Sequence, residues 1–120
     1  MKLIGILGGM SAASTQIYYK KLCSLTAARL GGLHSPDLII RSLNFSEIEE
    51  LQSQGAWIEA GERLNEEAKN LEACGAEILV LATNTMHKLS DQMMQGVSIP
   101  MLHIADATAE AITKVRLKSP

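Results

Sequence analysis

Three hydrogen-bonding side chains, Thr83, Asn84 and Thr85, follow directly after the most apolar stretch of the sequence, residues 77–82. A helix N-cap needs only one such side chain, which accepts a hydrogen bond from an N–H of the first turn. Thr85 alone could fill that role. Binding residues concentrate on loops that a rigid scaffold positions. The run therefore predicts a substrate role for Thr83 and Asn84, with helix capping as the alternative for Thr85.

A second loop with possible chemistry is Gly8-Gly9-Met10-Ser11, which leaves a short apolar run and enters a helical stretch. The free N–H groups and the dipole at a helix N-terminus favour a carboxylate or a phosphate. The spacing of Gly5, Gly8 and Gly9 differs from the GxGxxG fingerprint, and no P-loop lysine follows. The loop indicates either an anion-binding turn or a plain turn, and the residues leave both open.

Gln52 is the third candidate, because it lies near the end of the second predicted strand, from which its side chain could reach the same cleft. The neighbouring residues Glu47, Glu49 and Glu50 could be read as a carboxylate pair for acid–base chemistry. Negative charge is also favourable in the first turn of a helix. We therefore interpret this acidic run as the solvated face of a short helix.

Strand and helix patterns alternate along the chain and must position these loops. The predicted strands are residues 3–7, 37–43, 77–82 and 100–104. The predicted helices are residues 11–29 (or from 14), 46–54, 57–74, 86–95 and 106–113. Such alternation predicts parallel strands joined by right-handed crossovers, in a doubly wound α/β sheet. Ligands bind at the carboxyl ends of the strands in sheets of this kind.

The composition is that of one soluble domain, since 120 residues with 47% apolar and 20% charged side chains match a single globular core. The formal net charge of −2 and the lack of a basic stripe argue against nucleic acid as a partner. No apolar run reaches the ~20 residues of a membrane span, and residues 1–10 lack a signal-peptide pattern. We expect a cytoplasmic domain over residues 1–113, followed by a frayed basic tail over residues 114–120.

Neither a metal site nor a structural disulfide is predicted. Cys23 and Cys74 lie in separate predicted helices, without a CxxC pair or a histidine cluster nearby. His34 lies in a loop, and His87 and His103 lie far apart in the sequence. His34 indicates nothing, and His87 is expected to be partly exposed and hydrogen-bonded. His103 ends the last predicted strand beside Asp106, where either a structural hydrogen bond or a catalytic role is open.

Five segments together resemble the aspartate/glutamate racemase family, whose members use no pyridoxal phosphate. The match is most similar to its bacterial subgroup of broad amino-acid racemases that act on L-aspartate or L-glutamate. The segments are IGILGGMS (4–11), GGLHS (31–35), NFSEIEELQ (44–52), LATNTMHK (81–88) and LHIADAT (102–108). The resemblance implies an enzyme of two lobes, each with a four-stranded parallel sheet, here of strand order 2-1-3-4, and no cofactor.

The family resemblance also implies a mechanism. Usually one cysteine from each lobe flanks the substrate, and one removes the α-proton while the other delivers a proton to the opposite face. Thr83 takes the position of the first cysteine. A threonine hydroxyl is a far weaker acid than a thiol of pKa about 8.5. Some relatives in the subgroup also carry threonine there, which implies chemistry that favours one enantiomer as the substrate.

The resemblance assigns substrate contacts to the remaining candidates. Met10 and Ser11 correspond to main-chain or hydroxyl contacts with a substrate carboxylate, which Gln52 reaches through its side chain. Asn84 and Thr85 correspond to residues that hold the amino-acid head group. An acidic amino acid is thus the expected ligand.

Family members are about twice as long as this chain, which implies that it is a truncated enzyme lacking the second lobe. We expect little or no racemase activity from the isolated chain, because one lobe presents groups to only one face of the substrate. The alternative is a non-catalytic half-enzyme that acts as a binding or assembly module. Such a module would pair with a copy of itself or with a separately encoded second lobe.

Overall fold

A computed structural model of the chain describes residues 1–8, 12–82, 89–102 and 104–118. Strands and helices alternate through this part of the chain, as predicted. The elements are β1 (Ile4–Gly8), α1 (Ala12–Leu30), β2 (Leu38–Ser42), α2 (Phe45–Ser53), α3 (Trp57–Ala73), β3 (Ile78–Leu81), α4 (Ser90–Met93) and α5 (Ile104–Lys118).

The strands form a parallel sheet in the order β2-β1-β3. Ile4 of β1 lies opposite Leu38 of β2 and Ile78 of β3. The crossover from β1 to β2 contains α1, and the crossover from β2 back past β1 to β3 contains α2 and α3. The predicted order is confirmed for these three strands.

The prediction of a fourth strand over residues 100–104 is wrong for the part of the chain described. Only an isolated parallel bridge joins Met101 to Leu79. The Leu79 N–H donates to the Pro100 carbonyl at 2.9 Å, and the Leu102 N–H donates to the Leu79 carbonyl at 3.0 Å. Proline has no N–H for a strand ladder, and α5 already begins at Ile104. The segment therefore takes the predicted place beside β3 without extending into a strand.

One face of the sheet is covered by α1 and α5. Side chains alternate between the two faces of a strand, and on this face Ile4, Ile6 and Val80 are buried in one cluster. Leu22 of α1 and Ala107 of α5 complete the cluster. The beginning and the end of the chain thus form one layer.

The opposite face is covered by α2, α3 and α4. Leu7 and Leu81 from the sheet are buried against Ile48 of α2, Leu64 of α3 and Met93 of α4. Helices therefore flank a parallel sheet on both sides, and the predicted α/β architecture is confirmed.

Two helix ends follow from local hydrogen bonding. Gly31 has a φ of +73°, and its N–H donates to the Ala27 carbonyl at 2.7 Å. Glycine adopts this left-handed conformation without steric cost, so α1 ends where the glycine pair predicts. At the start of α2, the Asn44 side chain accepts a hydrogen bond from the Ser46 N–H at 3.1 Å. Asn44 is therefore the N-cap, and α2 begins one residue earlier than predicted.

The last helix differs most from its prediction. It begins at Ile104, so Asp106 lies in its first turn instead of preceding it. The helix continues to Lys118, whereas the fraying expected for residues 114–120 stays a prediction. Residues 114–118 contain no glycine or proline, and their lysines, arginine and leucine favour helix. Basic side chains are also stabilised at a helix C-terminus. In contrast, α4 ends at Met93, two residues before its predicted end.

Candidate functional site

The carboxyl ends of the three strands lie side by side. Leu7 of β1 is opposite Leu81 of β3, and the Ala82 N–H donates to the Leu7 carbonyl at 2.9 Å. On the other side of β1, the Leu43 N–H donates to the Gly8 carbonyl at 2.8 Å. This edge is where ligands bind to an open parallel sheet. The segments after residues 8 and 82 therefore leave the sheet from neighbouring positions.

Five of the six predicted site residues follow these strand ends directly in the sequence. Met10 and Ser11 come after β1, and Thr83, Asn84 and Thr85 come after Ala82. All five lie outside the described residues. Their contacts and roles stay predictions.

The first helix starts close to the end of β1. Thr15, in the first turn of α1, packs directly on Gly8, so that a Cβ at Gly8 would lie 3.1 Å from Thr15 Cγ2 and would overlap Thr15 Oγ1. The first turn of α1 carries no acidic side chain. This N-terminal end of α1 is therefore held at the carboxyl edge, with no nearby carboxylate of its own helix to repel an anion.

Gln52 is the one predicted site residue that the structure describes. It lies in the last turn of α2, the helix that follows the carboxyl end of β2. Its side chain is half-buried, and its carbonyl accepts a hydrogen bond from the Gly55 N–H at 3.0 Å. Gln52 thus lies about two turns from the helix start at the sheet edge. Its contact with a substrate stays a prediction.

The acidic run on α2 is a solvated face, as interpreted from the sequence. Glu47, Glu49 and Glu50 are exposed, whereas Ile48 between them is buried in the core. The carboxylates therefore point away from the protein interior, and α2 is amphipathic in the usual sense.

A charged network near the carboxyl end of β2 was not found by sequence reasoning. Glu67 of α3 is buried, and its carboxylate accepts hydrogen bonds from Arg41 of β2 and Arg63 of α3. Arg63 also lies 3.7 Å from a carboxylate oxygen of Glu47 on α2. The network therefore joins two helices to the edge strand. The i,i+4 spacing of Arg63 and Glu67 could have indicated an ion pair within one helix. No sequence pattern near Arg41 indicates that it also pairs with Glu67.

The two arginines keep the buried carboxylate ionised. Burial acts to raise the pKa of Glu67, but the hydrogen bonds from Arg63 and Arg41 outweigh it, so the pKa is lowered from 4.5. The hydrogen bond to Glu67 in turn raises the pKa of Arg63. A buried charge is tolerated when it is paired and hydrogen-bonded in this way. The network is thus a structural clamp of α3 on β2.

Side chains of α3 also hold the chain that follows α4. The Asn65 side-chain amide donates to the carbonyls of Met93 at 2.8 Å and Gln95 at 2.7 Å. The Glu72 carboxylate accepts from the Ser98 N–H at 2.9 Å. These bonds satisfy backbone groups that no regular secondary structure pairs, and they anchor the chain on the carboxyl-terminal side of residues 83–88 to α3.

The described residues contain no group of three or more histidine, cysteine or acidic side chains that could hold a metal ion. Cys23 is half-buried and Cys74 is exposed, and both are free thiols. His34 is exposed, with Nδ1 2.8 Å from the Gly31 carbonyl oxygen, whereas His87 and His103 lie outside the described residues. Of the helices described, none combines the length and the apolarity needed to cross a bilayer.

Comparison with known proteins identifies relatives across nearly the whole chain. Residues 7–118 match the sequence model of the Asp/Glu/hydantoin racemase family. The broad-specificity amino-acid racemase RacX of Bacillus subtilis is 27% identical in an alignment 123 residues long, which covers 92% of this chain and 49% of RacX.

Two crystal structures resemble the fold closely. A candidate Asp/Glu racemase from Yersinia pestis is 46% identical with a TM-score of 0.83, over 97% of this chain and 50% of that one. An aspartate racemase homologue from Pyrococcus horikoshii is 40% identical with a TM-score of 0.78, over 96% and 50%. The chain thus spans about half the length of each relative.

Proposed function

Because the chain belongs to the Asp/Glu/hydantoin racemase family, we propose that it is the amino-terminal lobe of an amino-acid racemase that inverts the α-carbon of an acidic amino acid without pyridoxal phosphate. The family match over residues 7–118 carries this proposal. The shared carboxyl edge of β1, β2 and β3 supports it, because two of the motif segments leave the sheet there from adjacent strands.

In the proposed reaction one group removes the α-proton of the substrate and a group on the opposite face delivers a proton to the resulting carbanion. In this lobe Thr83 takes the proton-transfer position on one face of the α-carbon. A cysteine of the second lobe supplies the thiol on the opposite face. Met10 and Ser11 bind a substrate carboxylate together with Gln52. Asn84 and Thr85 hold the amino-acid head group. Stabilisation of the carbanion requires preorganised donors and a cleft from which water is excluded.

The isolated chain is proposed to have little or no racemase activity. Inversion needs proton donors and acceptors on two faces of the α-carbon, and a single lobe supplies one face. A single lobe also leaves the reacting carbon in contact with water, which weakens electrostatic stabilisation of charge. The coverage of about half of each relative supports this proposal.

The test is a lobe-complementation assay monitored by circular dichroism of L-aspartate and L-glutamate. The purified chain alone is expected to leave the optical signal unchanged. Addition of the separately expressed second half of the Yersinia pestis relative, inactive by itself, is expected to start its decay. Rapid decay with the isolated chain would refute the proposed inactivity. No decay with both halves, despite their binding to each other, would refute the proposed racemase function.

A second candidate function is that of a binding or assembly module, which pairs with a second lobe or another copy. Ile17 is 61% exposed, Phe45 43% and Ile58 71%. These apolar side chains lie in the first two turns of α1, α2 and α3, whose N-terminal ends are at the carboxyl edge of a parallel sheet. Apolar side chains exposed toward one edge of the sheet are available for contact with another lobe. Sedimentation tests it, since a strict monomer that does not bind a second lobe would contradict it.

A further inference from the structure

The short helix α4 depends on α3 for its position. It has only four residues, and a single helical turn is unstable in water by itself. The Gln92 side-chain amide donates to the Ile58 carbonyl at 3.0 Å and occupies the space that a Cβ on Gly61 would take. Met93 is fully buried in the same core cluster as Leu64 of α3. The place of α4 on the sheet is therefore determined by α3.

Asn65 of α3 holds the carboxyl-terminal end of α4. Its amide nitrogen donates to the Met93 carbonyl at 2.8 Å and to the Gln95 carbonyl at 2.7 Å. An asparagine amide nitrogen carries two hydrogens, so both are used here. The last carbonyls of a helix have no partner within that helix. Asn65 therefore supplies hydrogen bonds that α4 cannot make by itself.

The segment with three of the predicted site residues ends next to α4. It comprises residues 83–88, between Ala82 and Leu89. Ala82 is fully buried, and its N–H donates to the Leu7 carbonyl at 2.9 Å. Leu89, directly before α4, is buried in the core between the sheet and α3. Because six residues connect these two anchors, a displacement of α4 changes the distance that the segment must span.

We propose that Asn65 and Gln92 are positioning residues of the proposed racemase site, which act through α4 on the segment that carries Thr83, Asn84 and Thr85. Both side-chain amides bond to backbone carbonyls of α3, of α4 and of the turn after it. They therefore act on a substrate through the backbone. The inference rests on the proposed function for the role of the segment, but not for the geometry that anchors it.

Proton transfer is the step that is most sensitive to such positioning. Catalytic groups must lie within about 0.5 Å of their productive geometry, and a displacement of about 1 Å can reduce a rate by about a hundredfold. Hydrogen bonds that bind a head group tolerate donor–acceptor distances from about 2.7 to 3.2 Å. Loss of the positioning contacts should therefore lower kcat more than it raises KM.

Gly61→Ala removes the Gln92 contact with little change in stability. The new methyl group displaces the Gln92 amide, and the higher helix propensity of alanine offsets the lost hydrogen bond. In the complemented enzyme we expect kcat from L-aspartate to fall by about tenfold, with little change in KM. A purely structural contact predicts an unchanged kcat, because the variant is as stable as the unaltered chain.

Asn65→Asp tests the second contact without a change of side-chain shape. A carboxylate donates no hydrogen bond to the two carbonyls, so we expect kcat to fall by about tenfold here as well. Asn70→Asp, at an exposed position of the same helix, is the matched control and should change neither kcat nor KM. Far-ultraviolet circular dichroism at the assay temperature gives the folded fraction, by which kcat is normalised. An unchanged kcat in both Gly61→Ala and Asn65→Asp would overturn the positioning role and leave the proposed function standing.

Amide NMR of the 120-residue chain tests the geometry without any catalysis. Gly61→Ala and Asn65→Asp are expected to shift the backbone amide signals of residues 83–85 more than Asn70→Asp does. Shifts confined to residues 89–95 would mean that α4 moves without the segment, which would overturn the proposal even if the complemented enzyme is inactive. Shifts at residues 83–85 in an inactive complemented enzyme would refute the proposed function and support the positioning of the segment.

Discussion

The side chain of Gln92 in α4 lies directly against the backbone of Gly61 in α3. A Cβ on Gly61 would overlap the Gln92 amide, and that amide donates a hydrogen bond to the Ile58 carbonyl at 3.0 Å. The missing side chain at position 61 is therefore what allows Gln92 to reach the backbone of α3. The contact fixes the short α4 on a helix that is itself buried against the sheet.

Gly61→Ala tests this contact because the substitution has two opposite effects on the free energy of unfolding. Alanine stabilises a helix interior by about 1 kcal/mol relative to glycine. Displacement of Gln92 costs a hydrogen bond of about 1 kcal/mol, and the two effects nearly cancel. In a Gln92→Ala background the displacement no longer matters, so Gly61→Ala is expected to stabilise by about 1 kcal/mol. Urea unfolding of the four variants measures both values. Equal effects in the two backgrounds would contradict the contact.

Glu67→Gln tests the clamp of α3 on β2. The pKa of Glu67 is lowered in the fold from the unfolded-state value of 4.5. The ionised carboxylate therefore stabilises the fold fully above pH 4.5, and this contribution is lost as the pH falls through the folded-state pKa. At pH 7 we expect a loss of about 2 kcal/mol, since both arginines lose an ionised partner but stay partly solvated. The difference between variant and unaltered chain should shrink in acid.

Glu66→Gln is the matched control for this change. Glu66 is the exposed neighbour of Glu67 on the same helix, and exposed substitutions usually change stability by less than about 0.5 kcal/mol. Urea unfolding at pH 7 and below pH 4 compares the three proteins. A pH-independent loss for Glu67→Gln would mean that the carboxylate charge does not stabilise the fold.

Gly8→Ala tests the packing of α1 on the end of β1. Thr15 is β-branched and sits in a helix, so it has little rotamer freedom with which to avoid a new methyl group. We expect a loss of about 1 to 3 kcal/mol, the usual cost of overpacking. Thr15→Ala removes the two nearest atoms, so Gly8→Ala should cost less in that background. Thermal unfolding of the double-mutant cycle measures the coupling, and additive losses would contradict direct contact.

Thr83→Cys tests the proposed proton-transfer position in the complemented enzyme. A thiol of pKa about 8.5 supplies a usable base that a hydroxyl does not. We expect kcat/KM for aspartate racemisation to rise by about tenfold or more, by the same factor from either enantiomer because the two have equal free energy. Thr83→Ser, which keeps the hydroxyl, should not raise it. Circular dichroism from pure L- and pure D-aspartate measures each direction. Equal responses to cysteine and serine would exclude this role.

The sequence by itself determined the order of elements along the chain and the architecture. Apolar runs and glycine turns located β1, α1, β2 and β3 to within a few residues, because strand and helix periodicity and helix-terminating glycines are local properties. The same local motifs, from residue 4 to 108, indicated the family that the match to the Asp/Glu/hydantoin racemase sequence model shows. The proposed residues at positions 10, 11 and 83–85 also came from these motifs alone.

Only the tertiary structure decided which distant groups meet. The pairing of Arg41 with Glu67, the bonds from Asn65 to Met93 and Gln95, and the overlap of Gln92 with Gly61 join residues more than 20 positions apart. The reduction of the fourth strand to one bridge at Met101 and the edge position of β2 likewise depend on how many neighbours each strand finds. Periodicity shows which face of an element is apolar, but the partner of that face is selected by the packing of the whole chain.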